Sequence, residues 1–173
     1  MENFTNETID TRQLPKFEEV AFTNLHPKYL RVVLINVALI IGVLILVPVL
    51  ISVFKPELFL GRVWLILGFV IPMLSLLIIV FSYIGFKKKG FAFREHDVLF
   101  KHGIIATNII VIPYNRVQHV ALHEGLISRY LGLSKIEIFT AGGSSSDIEI
   151  AGIEKEQAEN IKQLLMGKIQ KQL

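Results

Sequence analysis

The sequence predicts an α+β membrane protein in which a two-helix transmembrane hairpin is followed by a small, mostly-β domain. Three observations predict it. Two long apolar runs without an ionised side chain stand side by side, at 32–54 and 63–86. The eight residues between them contain Pro56 and Gly61, as a tight turn requires. After Gly90 the pattern changes to short alternating segments and closes on an amphipathic stretch.

Composition sets the frame. The chain has 173 residues, 52% hydrophobic and 19% charged, more apolar than water alone would solvate. About 85 residues follow Lys87, enough for one small domain with a core of its own. The net charge of +3 is unevenly spread, with Glu2, Glu7, Asp10, Glu18 and Glu19 near the N-terminus and bases near the apolar runs. No basic helix or aromatic RNA-binding strand accompanies it, so no nucleic-acid partner is expected. Cysteine is absent, which excludes disulfides and thiolate metal sites.

The N-terminal segment, 1–31, precedes the first run. Val32–Phe54 covers about 34 Å as a helix, slightly more than a hydrocarbon core. It is too long, starts too late and follows too acidic a leader for a cleaved signal peptide. Residues 55–62 form the extracytoplasmic turn, and Val63–Phe86 spans again. Lys28 and Arg31 before the hairpin and Lys87, Lys88 and Lys89 after it outnumber Lys55 and Arg62 in the turn. The positive-inside rule therefore puts both termini in the cytoplasm of a multi-pass cell-membrane protein. The three lysines are also candidate contacts for the lipid surface of the bilayer.

Within the spans, Pro48, Pro72, Gly42, Gly68, Ser52 and Ser75 either permit close helix contact or reflect ordinary membrane-helix composition, the second being favoured. Asn36 is close enough to Arg31 to reach the interface. No ionisable group lies at mid-depth, which weighs against a transport site.

The domain, 87–173, shows period-two alternation in Lys135–Ile138 and Asp147–Ile150, a hairpin around 142–146. Val98–Lys101 and Ile104–Ile112 flank a turn at His102-Gly103, and Arg116–Leu122 follows the break at Pro113. Ile153–Gln170 is a helix with Ile161, Leu164, Leu165 and Ile169 on one face. Glu154, Glu156 and Glu159 come early and Lys162, Lys168 and Lys171 late, as the helix dipole favours.

Ile112-Pro113-Tyr114-Asn115-Arg116-Val117-Gln118-His119-Val120, then Glu124 to Leu133, then Ile138-Phe139-Thr140-Ala141-Gly142-Gly143 follow one another here. In this order they closely resemble the bacterial pleckstrin-homology-like (PH-like) domain of YdbS-like membrane proteins. The approach Leu25-His26-Pro27-Lys28 is similar too. The resemblance implies a seven-stranded, strongly bent sheet closed by the C-terminal helix. It also implies a binding or scaffold module in a membrane complex, with a partner related to a larger protein carrying repeated copies of the domain. Envelope defence against toxic peptides is the implied context.

Arg116, Gln118 and Arg129 are the polar members of that motif. Arg116 and Gln118, two apart, are expected on one strand face, where with Arg129 they would bind an anionic headgroup or partner or, the favoured reading, fasten the loop at Pro113 and the Gly125 turn. His119 and His123, with His102 or Glu124, make a zinc site geometrically thinkable, though surface imidazoles are the favoured reading. Glu95 with Asp97 and Asp147 with Glu149 are expected on exposed edges. Gly142 to Ser146 lacks the lysine and helix of a phosphate loop. No nucleophile with an oriented base is present, so the chain is expected to be non-enzymatic, without cofactor or metal. Recognition of anionic lipid, or a membrane enzyme or transport subunit, are the alternatives.

Overall fold

The computed structural model of the protein describes residues 19–59, 61–141 and 147–170. Two long helices, α1 (Tyr29–Phe54) and α2 (Gly61–Lys88), lie against each other as a hairpin. Both run past the charge-free stretches, taking in Arg31, Arg62, Lys87 and Lys88. Charge marks the edge of the apolar run, but lysine and arginine are good helix formers and do not end the helix. A single 3-10 turn, Pro56–Leu58, reverses the chain, and the Phe59 and Trp64 rings meet beside it at 5.4 Å.

The hairpin is apolar on every side. Phe54, Leu65 and Phe69 are 81%, 77% and 72% exposed, a state water would not tolerate for so many neighbours at once. Lipid is the solvent that suits it. Within the helices, the Ser52 and Ser75 hydroxyls donate to their own backbone, at Val49 and Ile71 (both 2.7 Å). A Cβ added at Gly42 or Gly68 would meet nothing within 4 Å. These two glycines are therefore not the points where the helices touch.

Among the described residues there are seven strands, the number the resemblance implies, but one of them precedes the hairpin and they divide into two antiparallel sheets. The first has the order β1 (Thr23–Asn24), β2 (Gly90–Phe93), β3 (Asp97–His102) and β4 (Asn108–Pro113). The second has β5 (Val117–His123), β6 (Leu133–Thr140) and β7 (Ile148–Glu154). Helix α3 (Leu126–Tyr130) joins β5 to β6, and α4 (Lys155–Gln170) closes the domain against the second sheet.

Alternation fills the core. Ile136 and Ile138 pair across the ladder with Ile150 and Ile148, all at most 1% exposed, while Lys135, Glu137 and Glu149 face the other way. Phe91, Val98, Phe100 and Ile112 supply the facing layer from the first sheet. Ala158, Ile161, Leu165 and Ile169 cover it from α4.

Three expectations need correction. Residues 104–107 are not strand: Gly103 adopts φ +115, and Ile104 turns onto Gly85 of α2 instead of extending β4. Ile153 belongs to β7, paired with Ser134 and 1% exposed, so the last helix starts at Lys155. Leu164 is 47% exposed; Ala158 takes the core position, because the stripe runs at 158, 161, 165 and 169. Leu126–Tyr130, within the family-like motif, forms a short helix. The acids from Glu2 to Glu18, the loop 142–146 and Lys171 lie outside the described residues.

The hairpin is built into the sheet. β1 precedes α1 and β2 follows α2, and the two strands pair directly, Thr23 with Phe91 and Asn24 with Gly90. His26 ties the start of α1 to the other sheet. Its backbone N–H donates to the Gly152 carbonyl (2.9 Å), and its Nε2 meets Glu154 Oε1 at 3.0 Å. Its Nδ1 accepts the Lys28 N–H (3.1 Å), so a neutral ring protonated on Nε2 satisfies both contacts.

Candidate binding surface

The seam between the two sheets starts from one buried residue. Tyr114, 2% exposed, follows Pro113 and sinks into the core, forcing a single 3-10 turn over Tyr114–Arg116. Its hydroxyl donates to the Arg94 carbonyl (2.7 Å) and its N–H to the His96 carbonyl (3.0 Å). Burial, with a smaller contribution from the Asp97 charge, pushes the Tyr114 phenol up to about 12.

This turn overturns the expectation for Arg116 and Gln118. Arg116 precedes β5, and the ladder slips between Val117 and His119, leaving Gln118 at a bulge. The two share no strand face. Both are exposed, and the Arg116 carbonyl accepts the Ala141 N–H (3.3 Å). Arg129 sits on α3 beyond the far end of β5, about 20 Å along the strand from Arg116 by strand rise. It pairs loosely with Glu124 (Nε to Oε2, 3.7 Å). Arg116 and Gln118 are thus neighbours, while Arg129 belongs to another corner.

What lies beside Arg116 is a hollow of about 450 Å³, bounded by Ile110, Ile112, Pro113, Thr140 and Asp147. Thr140 donates from both its N–H and its hydroxyl to Asp147 Oδ2 (2.8 and 2.6 Å), and these bonds hold the Asp147 carboxyl below its ordinary range. Asp147 is therefore the clasp of the β6–β7 hairpin, not a bare edge carboxylate. Asp97 likewise pairs with the Arg94 guanidinium. The hollow opens beside β4, which ends its sheet: among the described residues no strand pairs with its outer edge. The β4 edge and its exposed Val111 are a feature that spacing alone did not reveal, because strand order is a property of the folded sheet.

The histidines separate. His119 stacks on Phe139, its cross-strand partner, at 4.1 Å; His123 pairs with Glu137 (3.1 Å); His102 stands on β3 beside Phe100. Lys135 bonds Glu137 and Glu149, and its contact with Glu137 lowers that carboxyl. Glu124 is lowered too, first by Lys155, with help from Ser134 and Arg129. Each of these carboxylates is a partner in a lattice of surface ion pairs. Among the described residues no three His, Asp or Glu converge on a metal position.

The lysines after α2 also take different roles. Lys87 Nζ lies over the Tyr83 ring at 4.8 Å, and Lys88 Nζ donates to the Ile104 carbonyl (2.7 Å). Lys89 lines the junction with Tyr29 and His102.

Comparison with known proteins agrees with this architecture. The chain is 27% identical over 103 residues to the UPF0699 transmembrane protein YdbS of Bacillus subtilis (strain 168), a match covering 60% of this chain. It spans 59% of that relative's length. No solved structure matches. Two helices long and apolar enough to cross a bilayer, together with a relative named as a transmembrane protein, make this a membrane protein in contact with lipid. The family described as bacterial PH domain matches residues 12–169, and the chain belongs to that family.

Proposed function

We propose that the chain is a non-enzymatic, membrane-anchored binding module that holds a partner protein in a membrane complex. The hairpin crosses the bilayer twice, with the turn at 55–62 outside and both termini in the cytoplasm. The domain, 87–173 with β1 paired into its first sheet, then faces the cytoplasm close to the lipid. One observation carries this reading: the hairpin is inserted between the hydrogen-bonded neighbours β1 and β2, so the sheets keep a fixed attitude to the membrane. A tethered surface meets a membrane partner at high effective concentration, and modest intrinsic affinity suffices.

The docking strip in this proposal is the free edge of β4 with Arg116 and Gln118 at its end. An extended segment of the partner adds to the edge, and Arg116 reads an acidic group on it. A partner carrying further copies of this domain fits the family resemblance, and envelope defence is the proposed setting. The test is co-purification of the tagged full chain from native membranes in mild detergent. A stoichiometric membrane partner is expected, lost in the double substitution Val111→Lys and Arg116→Glu while the melting temperature holds. A chain that always migrates alone refutes the reading.

A further inference from the structure

Where hairpin and domain meet, a crevice of about 460 Å³ is formed that neither could make alone. Val33 of α1, Phe81 and Phe86 of α2 and Ile104 of the β3–β4 connection give it apolar walls, while Lys89 and His102 stand at its rim. Volume and polarity suit a small amphiphile.

Its depth identifies the amphiphile. Lys87 and Lys88 fall in the last turn of α2, at the level where a membrane helix leaves the hydrocarbon. Ile104 reaches back to Gly85, where an added Cβ would touch its Cδ1 at 3.4 Å. By helical rise, that contact is about 4.5 Å and Phe81 about 10 Å further into the membrane than Lys88. The crevice thus runs from headgroup level toward the acyl region.

The wall is fixed, not a wandering loop. Lys88 grips the Ile104 carbonyl, and at Gly103 a side chain would come within 2.0 Å of the Ala106 carbonyl oxygen, so only glycine allows the bend. Ile105 beyond it is 92% exposed, an apolar tip directed away from all protein cover.

Charge completes the match. Lys87 and Lys88 are engaged by the Tyr83 ring and the Ile104 carbonyl. Lys89 lines the crevice beside His102, whose buried Nδ1 has no hydrogen-bond partner among the described residues. Asp147 and Glu149 line an adjoining hollow that shares Tyr29, Lys89 and His102 with the crevice, where Asp147 is engaged by Thr140 and Glu149 by Lys135.

We propose that this crevice seats part of one anionic phospholipid, its phosphate at Lys89 and one acyl chain along Val33, Phe81 and Ile104, with the rest of the lipid in the bilayer. The inference rests on the hairpin standing in the bilayer and is independent of any protein partner. The test is native mass spectrometry of the full chain released from nanodiscs of equal phosphatidylglycerol and phosphatidylcholine. One retained lipid per chain is expected, phosphatidylglycerol favoured roughly fivefold, the effect of one basic residue at the surface. Ser82→Trp fills the crevice and should remove the lipid. Lys89→Gln should keep a lipid but equalise the two headgroups, and it serves even if the tryptophan variant misfolds. Retention unaffected by Ser82→Trp in a folded chain, no retained lipid, or no headgroup preference in the wild type overturns the proposal. Partner co-purification, read separately on the same variants from native membranes, tells its failure apart from failure of the binding-module reading.

Discussion

The Tyr29 ring lies over the backbone of Gly152, so close that a Cβ at position 152 would fall 2.3 Å from the tyrosine Cγ. Gly152 also adopts φ +72, where side chains are strained. The first turn of the hairpin is therefore packed onto the last strand of the domain. Gly152→Ala should destabilise the chain by more than about 2 kcal/mol, from left-handed strain and steric overlap together. Adding Tyr29→Ala should relieve the overlap but not the strain, giving non-additive losses in a thermal-melting cycle in detergent.

Tyr114 anchors the seam through its hydroxyl. Tyr114→Phe removes the donor to the Arg94 carbonyl and should cost about 1–2 kcal/mol. The native phenol holds its proton up to about 12, whereas the unfolded one releases it near the ordinary value of 10.0. The native state thus binds more protons across that interval. The Tyr114 contribution to stability should be level below about pH 10 and fall as pH rises through the interval. Alkaline melting curves of the phenylalanine variant should fall less steeply over that interval.

The Asp147 clasp gives the opposite sign. Its carboxyl is lowered by the two Thr140 donors, so the contribution is present above the ordinary value of 3.8 and is lost as pH falls through the native value. Asp147→Asn should lower the melting temperature at neutral pH and flatten the acid limb of the pH profile. Unchanged acid sensitivity in that variant would remove Asp147 from the account.

Ile138 tests the core between the sheets. It is fully buried, between Val120 and Ile148 in the ladder, and Ile138→Ala should cost about 2–5 kcal/mol in denaturant titration. Leu164→Ala, on the uncovered face of α4, should cost far less.

The elements with strong periodic patterns were legible in the sequence. The charge-free runs became α1 and α2, and the Ile136, Ile138, Ile148 and Ile150 alternation became the inner face of β6 and β7. What stayed hidden depends on tertiary contact. Residues 104–107 have strand composition, but Gly103 bends the chain and Gly85 leaves room for Ile104, contacts no local window contains. Arg116 and Gln118 looked like same-face neighbours until burial of Tyr114 made a turn and the bulge broke the period of two. The free β4 edge and the junction crevice follow from strand order and from where the hairpin enters the sheet.

The placement of this domain beside the bilayer is tested most directly by site-specific labelling, which the absence of cysteine makes clean. Single substitutions Glu57→Cys in the turn and Gln163→Cys on α4 are each exposed to a membrane-impermeant maleimide on intact cells. The account predicts labelling at 57 without lysis and at 163 only after it. Labelling of 163 on intact cells, with 57 protected, would contradict the orientation on which the proposed role stands.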